Sequence, residues 1–534
     1  MSTPVTPTAE HPASAWAPLR VAAFRSLWLA VLASNIGTWM QTVGAQWLLV
    51  DRPNAPTLVS LVQTASMLPV LLLALPAGAL ADTLDRRRLL IGVQGFLAAV
   101  GVLLTALTAA DRMPPALLLT LTFGLGVGQA LTLPAWQAVI PELVPRAQLV
   151  SAAALGSISV NLARSVGPAV AGLLVAQAGV AVVFAVNAAS FVIFAVALLR
   201  WRPARPDTHH LPERFTAALR AGGRYVRHSP VVRRILLRAA LFVVPGSALW
   251  ALLPLVASRR LGLGAGGYGV LLGALGVGAV AGALVLPRIR RVLTSNHLLL
   301  LAGLLYAGVL LVLALVPVPL LAVAALVPAG LAWMTVMSSI NAAMQLFLPG
   351  WVRARGLSVY QMIFAGGQAL GAVAWGALGE VTSLVVALAV AGAVMAVGAL
   401  SVLLWPLRET GGVDRNPAVY WPEPHLALDA EPRGGPVLVT VSYTVPPERQ
   451  REFVEAMQAV GRSRRRTGAM RWGLFRAGER PHGFVEVYQV PSWEEHLRQH
   501  GGRLTGADRA AEERARALAE EPVTVHHLLP TDEG

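Results

Sequence analysis

The sequence contains no cysteine and no lysine. The first absence removes a disulfide framework and any thiolate metal site. The second makes all 43 basic residues arginine, which together with abundant Ala, Gly and Leu suggests a GC-rich bacterial genome rather than a mechanism. Charge of either sign is scarce: 13% of the 534 residues are charged and 55% are hydrophobic. A soluble globular protein carries about twice that charged share. No acidic residue falls in the middle of a long apolar run; Asp51, Glu142 and Glu380 stand near run ends. Met1–Leu19 lacks the basic start and early apolar core of a cleavable signal peptide and reads as a disordered N-terminus (1–19).

Long apolar runs are what the sequence has in quantity. Twelve helices are expected near 25–50, 57–81, 88–110, 115–139, 149–176, 179–200, 235–258, 267–287, 297–316, 318–345, 354–379 and 382–405. Runs of about 20 apolar residues cross a bilayer, so the expected class is an all-α membrane protein of two six-helix bundles, 20–200 and 235–407. Alternate loops differ in charge. One set holds Arg86, Arg87, Arg88, Arg146, Arg288, Arg290, Arg291, Arg353 and Arg355, and the linker at 201–234 adds Arg202, Arg205, Arg214, Arg220, Arg224, Arg227 and Arg233; the other set holds Arg52, Arg112, Arg259 and Arg260. The positive-inside rule places the richer set and both termini in the cytoplasm. The net charge of +15 therefore serves topology and anionic lipid, and nucleic-acid binding is not expected. Arg214–Pro230 in the linker reads as an amphipathic helix on the inner leaflet or as a solvated connection.

The two halves align at one offset of 204 residues. Gly78 pairs with Gly282, Arg86 and Arg87 with Arg290 and Arg291, Gly167 with Gly371, and Gly172 with Gly376. A repeated bundle of this kind places substrate between the halves, near the bilayer midplane. "GAGGYG" (Gly264–Gly269) satisfies a dinucleotide pattern, yet no strand precedes it, so it reads as helix packing; no cofactor and no metal site are expected.

Two motifs carry a family resemblance. "GALADTLDRRR" (Gly78–Arg88) resembles the loop 2–3 signature of the major facilitator superfamily through Gly78, Asp82, Arg87 and Arg88, with Thr83 and Asp85 departing from it. "NLARSVGPAVAGLL" (Asn161–Leu174) resembles the exporter signature of that superfamily through Gly167, Pro168 and Gly172. Together they are most similar to the drug and siderophore efflux branch, the transmembrane secretion effectors. The resemblance implies secondary transport by alternating access, outward export of small organic molecules across the bacterial inner membrane, and proton antiport by analogy. It also implies a cytoplasmic gate of Gly78, Asp82, Arg86, Arg87 and Arg88. An importer of the same fold is the alternative.

Single residues sharpen this expectation. Arg164 lies near mid-membrane, where a charge is expensive and faces a cavity or a partner. Asn35, Gln41, Asn161, Asn341 and Gln361 are cavity candidates, and Trp39, Trp136, Trp333 and Trp375 are stacking candidates. With no mid-span carboxylate, proton coupling has only Asp51 and Asp82 to offer.

After a polar linker (408–436), residues 437–530 read β-α-β-β-α-β, the ferredoxin-like order. This segment resembles the dimeric α+β barrel of antibiotic-biosynthesis monooxygenases, which implies a homodimer through the domain. It leaves a bifunctional reading open, with Trp472, Tyr488, Trp493, His496, His526 and His527 as pocket groups. A regulatory or dimerising module is favoured, and the chain is not expected to be an enzyme.

Overall fold

A computed structural model describes residues 16–202, 215–407 and 434–530, with isolated positions between 414 and 432. Side chains at 75, 79, 81–83, 146, 150, 215–221, 354 and 521 lie outside the description. Most of the expected N-terminal segment 1–19 and of the linker 408–436 also falls outside the described residues.

The apolar runs form helices where expected. The first six are α1 (Ala22–Trp47), α2 (Ala55–Thr83), α3 (Arg86–Ala109), α4 (Pro115–Leu143), α5 (Leu149–Ala178) and α6 (Val180–Arg200). A linker helix α7 (Phe215–His228) precedes the second six: α8 (Pro230–Leu255), α9 (Ala265–Ile289), α10 (Ser295–Leu315), α11 (Pro319–Phe347), α12 (Gly350–Val381) and α13 (Leu384–Leu400). Ten of these are long and apolar enough to cross a membrane. α13 has only 17 residues, and α1 is diluted by Asn35, Gln41 and Gln46. Helix ends are set by local chemistry. Asp85 caps α3 by accepting from the Arg88 amide at 2.8 Å, Thr294 caps α10, and Gly179 turns the chain between α5 and α6 at φ +84°.

Contacts divide the chain into two compact units. The first holds Met1–His210, Arg238–Ser339 and Gln361–Pro406. Within it α1 packs on α5 and α6, α2 on α4, α3 on α4 and α6, α5 on α9, and α10 on α13. Phe24, Leu27, Trp28, Trp136, Phe194 and Leu198 form one core there. Trp136 therefore belongs to packing, edge-on to Phe194 at 6.0 Å, and not to a stacking surface. Trp375 likewise bridges two helices, donating to the Val244 carbonyl at 2.8 Å.

The second unit holds Leu211–Leu237, Ile340–Tyr360 and Leu407–Gly534. Its sheet comprises β1 (Val437–Thr444), β2 (Arg471–Arg476), β3 (Gly483–Val490) and β4 (Glu520–Leu528). The order is β2-β3-β1-β4, antiparallel throughout, with Val439 opposite Tyr488 and His527. Helices α14 (Gln450–Thr467), α15 (Trp493–Arg498) and α16 (Gly506–Arg516) complete the ferredoxin-like unit. One helix was expected from Trp493 onward; a π turn at Gln499–Arg503, with Gly502 extended at φ 170°, breaks it. The buried face of β1 (Val437, Val439, Val441) packs on Phe453 and Met457 of α14 and on Phe484 of β3. The linker helix packs along α14, so protein covers α7, where the sequence left an inner-leaflet helix or a solvated connection open.

This domain carries buried charge. Glu486, with no exposed surface, accepts from Arg464 Nε at 3.2 Å, Trp472 Nε1 at 2.9 Å and Tyr443 Oη at 3.2 Å, and Arg464 also pairs with Glu512. Beside it His496 and His500 meet with Nε2 atoms 3.1 Å apart, and the His527 ring lies 4.9 Å from that of His496. Burial first, then the neighbouring His500 and His527, push His496 down to about 2; burial and Arg464 push His500 down to about 4. Both are held neutral in the fold, whereas the unfolded chain protonates them near pH 6.5. Stability present above pH 6.5 is therefore lost as pH falls towards 4, by roughly 1 kcal/mol per pH unit for each histidine. Hydrogen exchange of residues 437–530 in the full chain should show protection falling from pH 7 to pH 4.5, with a shallower slope in His500→Gln; an equal slope would refute the assignment.

Candidate functional site

The first unit brings the two repeats together through glycines. A β-carbon on Gly172 of α5 would stand 2.5 Å from Gly269 Cα and 2.8 Å from the Ala265 carbonyl of α9. Its repeat partner Gly376 of α12 lies against Ser60 and the Pro56 carbonyl of α2. Gly167 abuts Ile36 and Trp39 of α1, and its partner Gly371 abuts Val244 and Ser247 of α8. The sequence repeat is thus matched by reciprocal contacts: the fifth helix of each half touches the second helix of the other and the first helix of its own. Hydrocarbon gives apolar helices no reason to associate, so small residues that admit close backbone approach do that work. Pro168 follows Gly167 and removes one amide from the α5 ladder.

These contacts gather at the ends away from the arginine-rich loops. Gln46 of α1 donates to the Trp250 carbonyl at 3.0 Å and accepts from Tyr268 Oη at 2.8 Å, and the Tyr268 ring stacks on Trp47 at 5.8 Å. Thr64 of α2 donates to the Ala369 carbonyl of α12 at 3.0 Å. Buried polar pairs of this kind are satisfied across two helices and fix their register.

Midway along α5, the Arg164 guanidinium lies 5.5 Å from the Trp39 ring, a cation–π distance. Trp39 is 5.6 Å from Trp250, which is 5.5 Å from Trp333. Arg164, Trp250, Leu272, Leu275, Gly276, Ala279, Gly330 and Trp333 line one crevice between the repeats. Its chemistry is a cation among flat apolar rings. Trp250 and Tyr268 escaped the sequence reading, since nothing in an apolar run marks which tryptophan faces the partner bundle.

The cavity candidates scatter. Asn35 donates to Ser159 Oγ at 3.2 Å, and Asn161 donates to the Ser157 carbonyl of its own helix at 2.9 Å. Gln41 is 3% exposed and meets Asn187 at 3.5 Å, which places it between α1 and α6. Gln361 is part-buried in the first unit. Asn341, in the second unit, accepts from Gln345 at 2.9 Å.

Around the opening motif, Arg86 pairs with Glu142 at 2.7 Å and donates to the Ala138 carbonyl, and Arg87 donates to the Leu198 and Leu199 carbonyls at 2.9 and 2.8 Å. These arginines tie the ends of α3, α4 and α6. Arg88 is exposed, and Gly78 makes no close approach that only glycine permits. The repeat holds here too: Arg290 reaches Ser339 of α11 at 3.2 Å. The Asp82 side chain lies outside the described residues.

The family described as "Transmembrane secretion effector" matches residues 13–533. The chain belongs to this family. The transporter is 28% identical to the multidrug efflux pump Tap of Mycolicibacterium fortuitum over 71% of its own length and 95% of the pump's. It is 28% identical to the enterobactin exporter EntS of Shigella boydii over 72% of its length and 91% of the exporter's. To the staphyloferrin A transporter of Staphylococcus aureus it is 23% identical, over 52% and 70%. Among solved structures, a bacterial homolog of the lysosomal transporter Spinster in an inward-facing, unoccupied conformation superposes at TM-score 0.54 and 16% identity, covering 72% of this chain and 95% of that one. The nucleoside transporter NupG superposes at 0.58 and 12% identity, covering 72% and 99%. The transporter is a multi-pass membrane protein of the major facilitator fold, and its family and relatives carry small molecules rather than catalyse reactions.

Proposed function

We propose that the transporter moves amphipathic, ring-bearing organic molecules outward across the bacterial inner membrane, with both termini in the cytoplasm. The observation that carries this reading is the crevice between the repeats, where Arg164 adjoins Trp39, Trp250 and Trp333. Rings stack on tryptophan faces, and a guanidinium at that depth attracts an acidic substituent. Contacts gathered at the ends away from the arginine-rich loops suit a state that loads from the cytoplasm. The Gly167–Pro168 motif and the efflux relatives support the outward direction. Proton antiport is the proposed coupling, with Asp82 as gate and Asp51 as the other acidic candidate. The tail domain is proposed to pair with a second copy, as its resemblance to dimeric barrels suggests.

The test uses cells lacking their own exporters, loaded with enterobactin, an acidic polyphenol, or ethidium, a cationic dye. Expression should lower enterobactin retention, and in oriented proteoliposomes the flux should respond to a pH gradient. Raised retention would instead make the transporter an importer. Unchanged retention of both probes would defeat the substrate reading, and export of ethidium alone would defeat the role given to Arg164.

A further inference from the structure

The second unit contains more than a tail. Tyr225 of α7, 3% exposed, stands edge-on to Trp351 in the first turn of α12, with ring centroids 5.7 Å apart. Gly222 lies so near Arg355 that a β-carbon would meet its Cβ at 2.8 Å. The soluble domain closes over this pair. Arg503 places its guanidinium 4.9 Å from the Trp351 ring, and Arg466, paired with Asp508, lies 5.7 Å from the Tyr225 ring. Glu495 sits at the centre, 6% exposed. It takes both Arg503 nitrogens, at 2.7 and 3.0 Å, and reaches Arg224 of α7 at 3.7 Å. A bidentate arginine–carboxylate pair fixes geometry as well as energy.

The elements gripped are specific. α7 leads directly into α8, the first hydrophobic helix of the second repeat, and Trp351 opens α12, the fifth helix of that repeat. In the first repeat, Arg86 and Arg87 tie neighbouring helix ends directly. Alternating access swings one bundle against the other as a nearly rigid body. A device that joins two helices of one repeat cannot lock the repeats together; it can only stiffen the body that swings.

We propose that the C-terminal domain is a built-in brace: keyed by Glu495, it clamps α7 to the start of α12, and efficient transport depends on that clamp. The transport arm rests on the export reading above, while the structural arm stands without it. Trypsin applied to inside-out membrane vesicles should cut α7 at Arg224 and Arg227 slowly in the wild type. Cleavage should be roughly tenfold faster in Glu495→Gln and in Tyr225→Ala, as expected for loss of one buried contact. Tyr225→Ala removes nothing from the interior of the domain, so it separates undocking from unfolding. Arg509→Ala, which breaks an exposed pair with Glu513, should behave as wild type. Enterobactin efflux should fall severalfold in both docking variants at equal protein level. Wild-type cleavage in Tyr225→Ala overturns the brace, and so does wild-type efflux in a variant whose α7 is cut. Wild-type chain that moves no enterobactin indicts the export reading alone, since the cleavage comparison is unaffected.

Discussion

Gly172→Leu should abolish transport while leaving the chain inserted and stably expressed. Each half-cycle must bring α5 against α9 and then release it. In the contact state the two backbones approach so closely that a β-carbon on Gly172 would stand 2.5 Å from Gly269 Cα. A leucine adds four carbons where one does not fit, and neither neighbour has a flexible side chain to withdraw. The helices must part, and the nearby Gln46–Tyr268 bond of 2.8 Å parts with them. Overpacking of this kind costs about 1–3 kcal/mol, enough to depopulate that state about fivefold to more than a hundredfold. Gly273→Ala is the control, because its new methyl would meet Ala169 Cβ at an ordinary 3.6 Å. Efflux per molecule, measured beside membrane abundance, decides: an active Gly172→Leu would show that this approach is dispensable.

Arg164→Gln should remove most export of an acidic aromatic probe and spare the fold. Glutamine stays polar and keeps two N–H donors, but it is shorter than arginine and carries no charge. A hydrogen bond to a charged group contributes about 1.5–3 kcal/mol, so the apparent affinity should fall about tenfold or more. Competition by enterobactin against its own labelled efflux reads this as a raised half-saturation concentration with little change in maximal rate. A loss of protein from the membrane would mean that Arg164 holds helices together. Unchanged competition would mean that the substrate lies elsewhere.

How far these sites were legible in the sequence varies with the physics behind each. Helix positions were plain, because a bilayer demands continuous apolar runs of fixed length. The 204-residue repeat was plain too; its pairs Gly167/Gly371 and Gly172/Gly376 all meet backbone, whereas Gly78 meets nothing. Residue facing was not legible. Gln41 and Gln46 are five residues apart on α1, yet the first is buried against Asn187 and the second bridges to Trp250 and Tyr268. Only the partner helices decide between such neighbours. Asp85 reads as a departure from the loop signature, whereas in the fold it caps α3. For α7 the sequence left an inner-leaflet helix and a solvated connection open, because an amphipathic pattern cannot say whether lipid, water or protein covers its apolar face. In the soluble domain the β-α-β-β-α-β order was visible, while the His496–His500 pair formed only where α15 passes into its π turn.

The meeting of Gly172 with Gly269 also bears on speed. Two glycines touch without side chains, so no rotamer has to be frozen when the contact forms and none has to be freed when it breaks. An interface of interlocked long side chains would lose about 0.5–2 kcal/mol of rotamer entropy for each one ordered, and each reopening would have to disengage them. At this point of the cycle the transporter meets itself as bare backbone. That favours a shallow, quickly reversible closure over a tight seal.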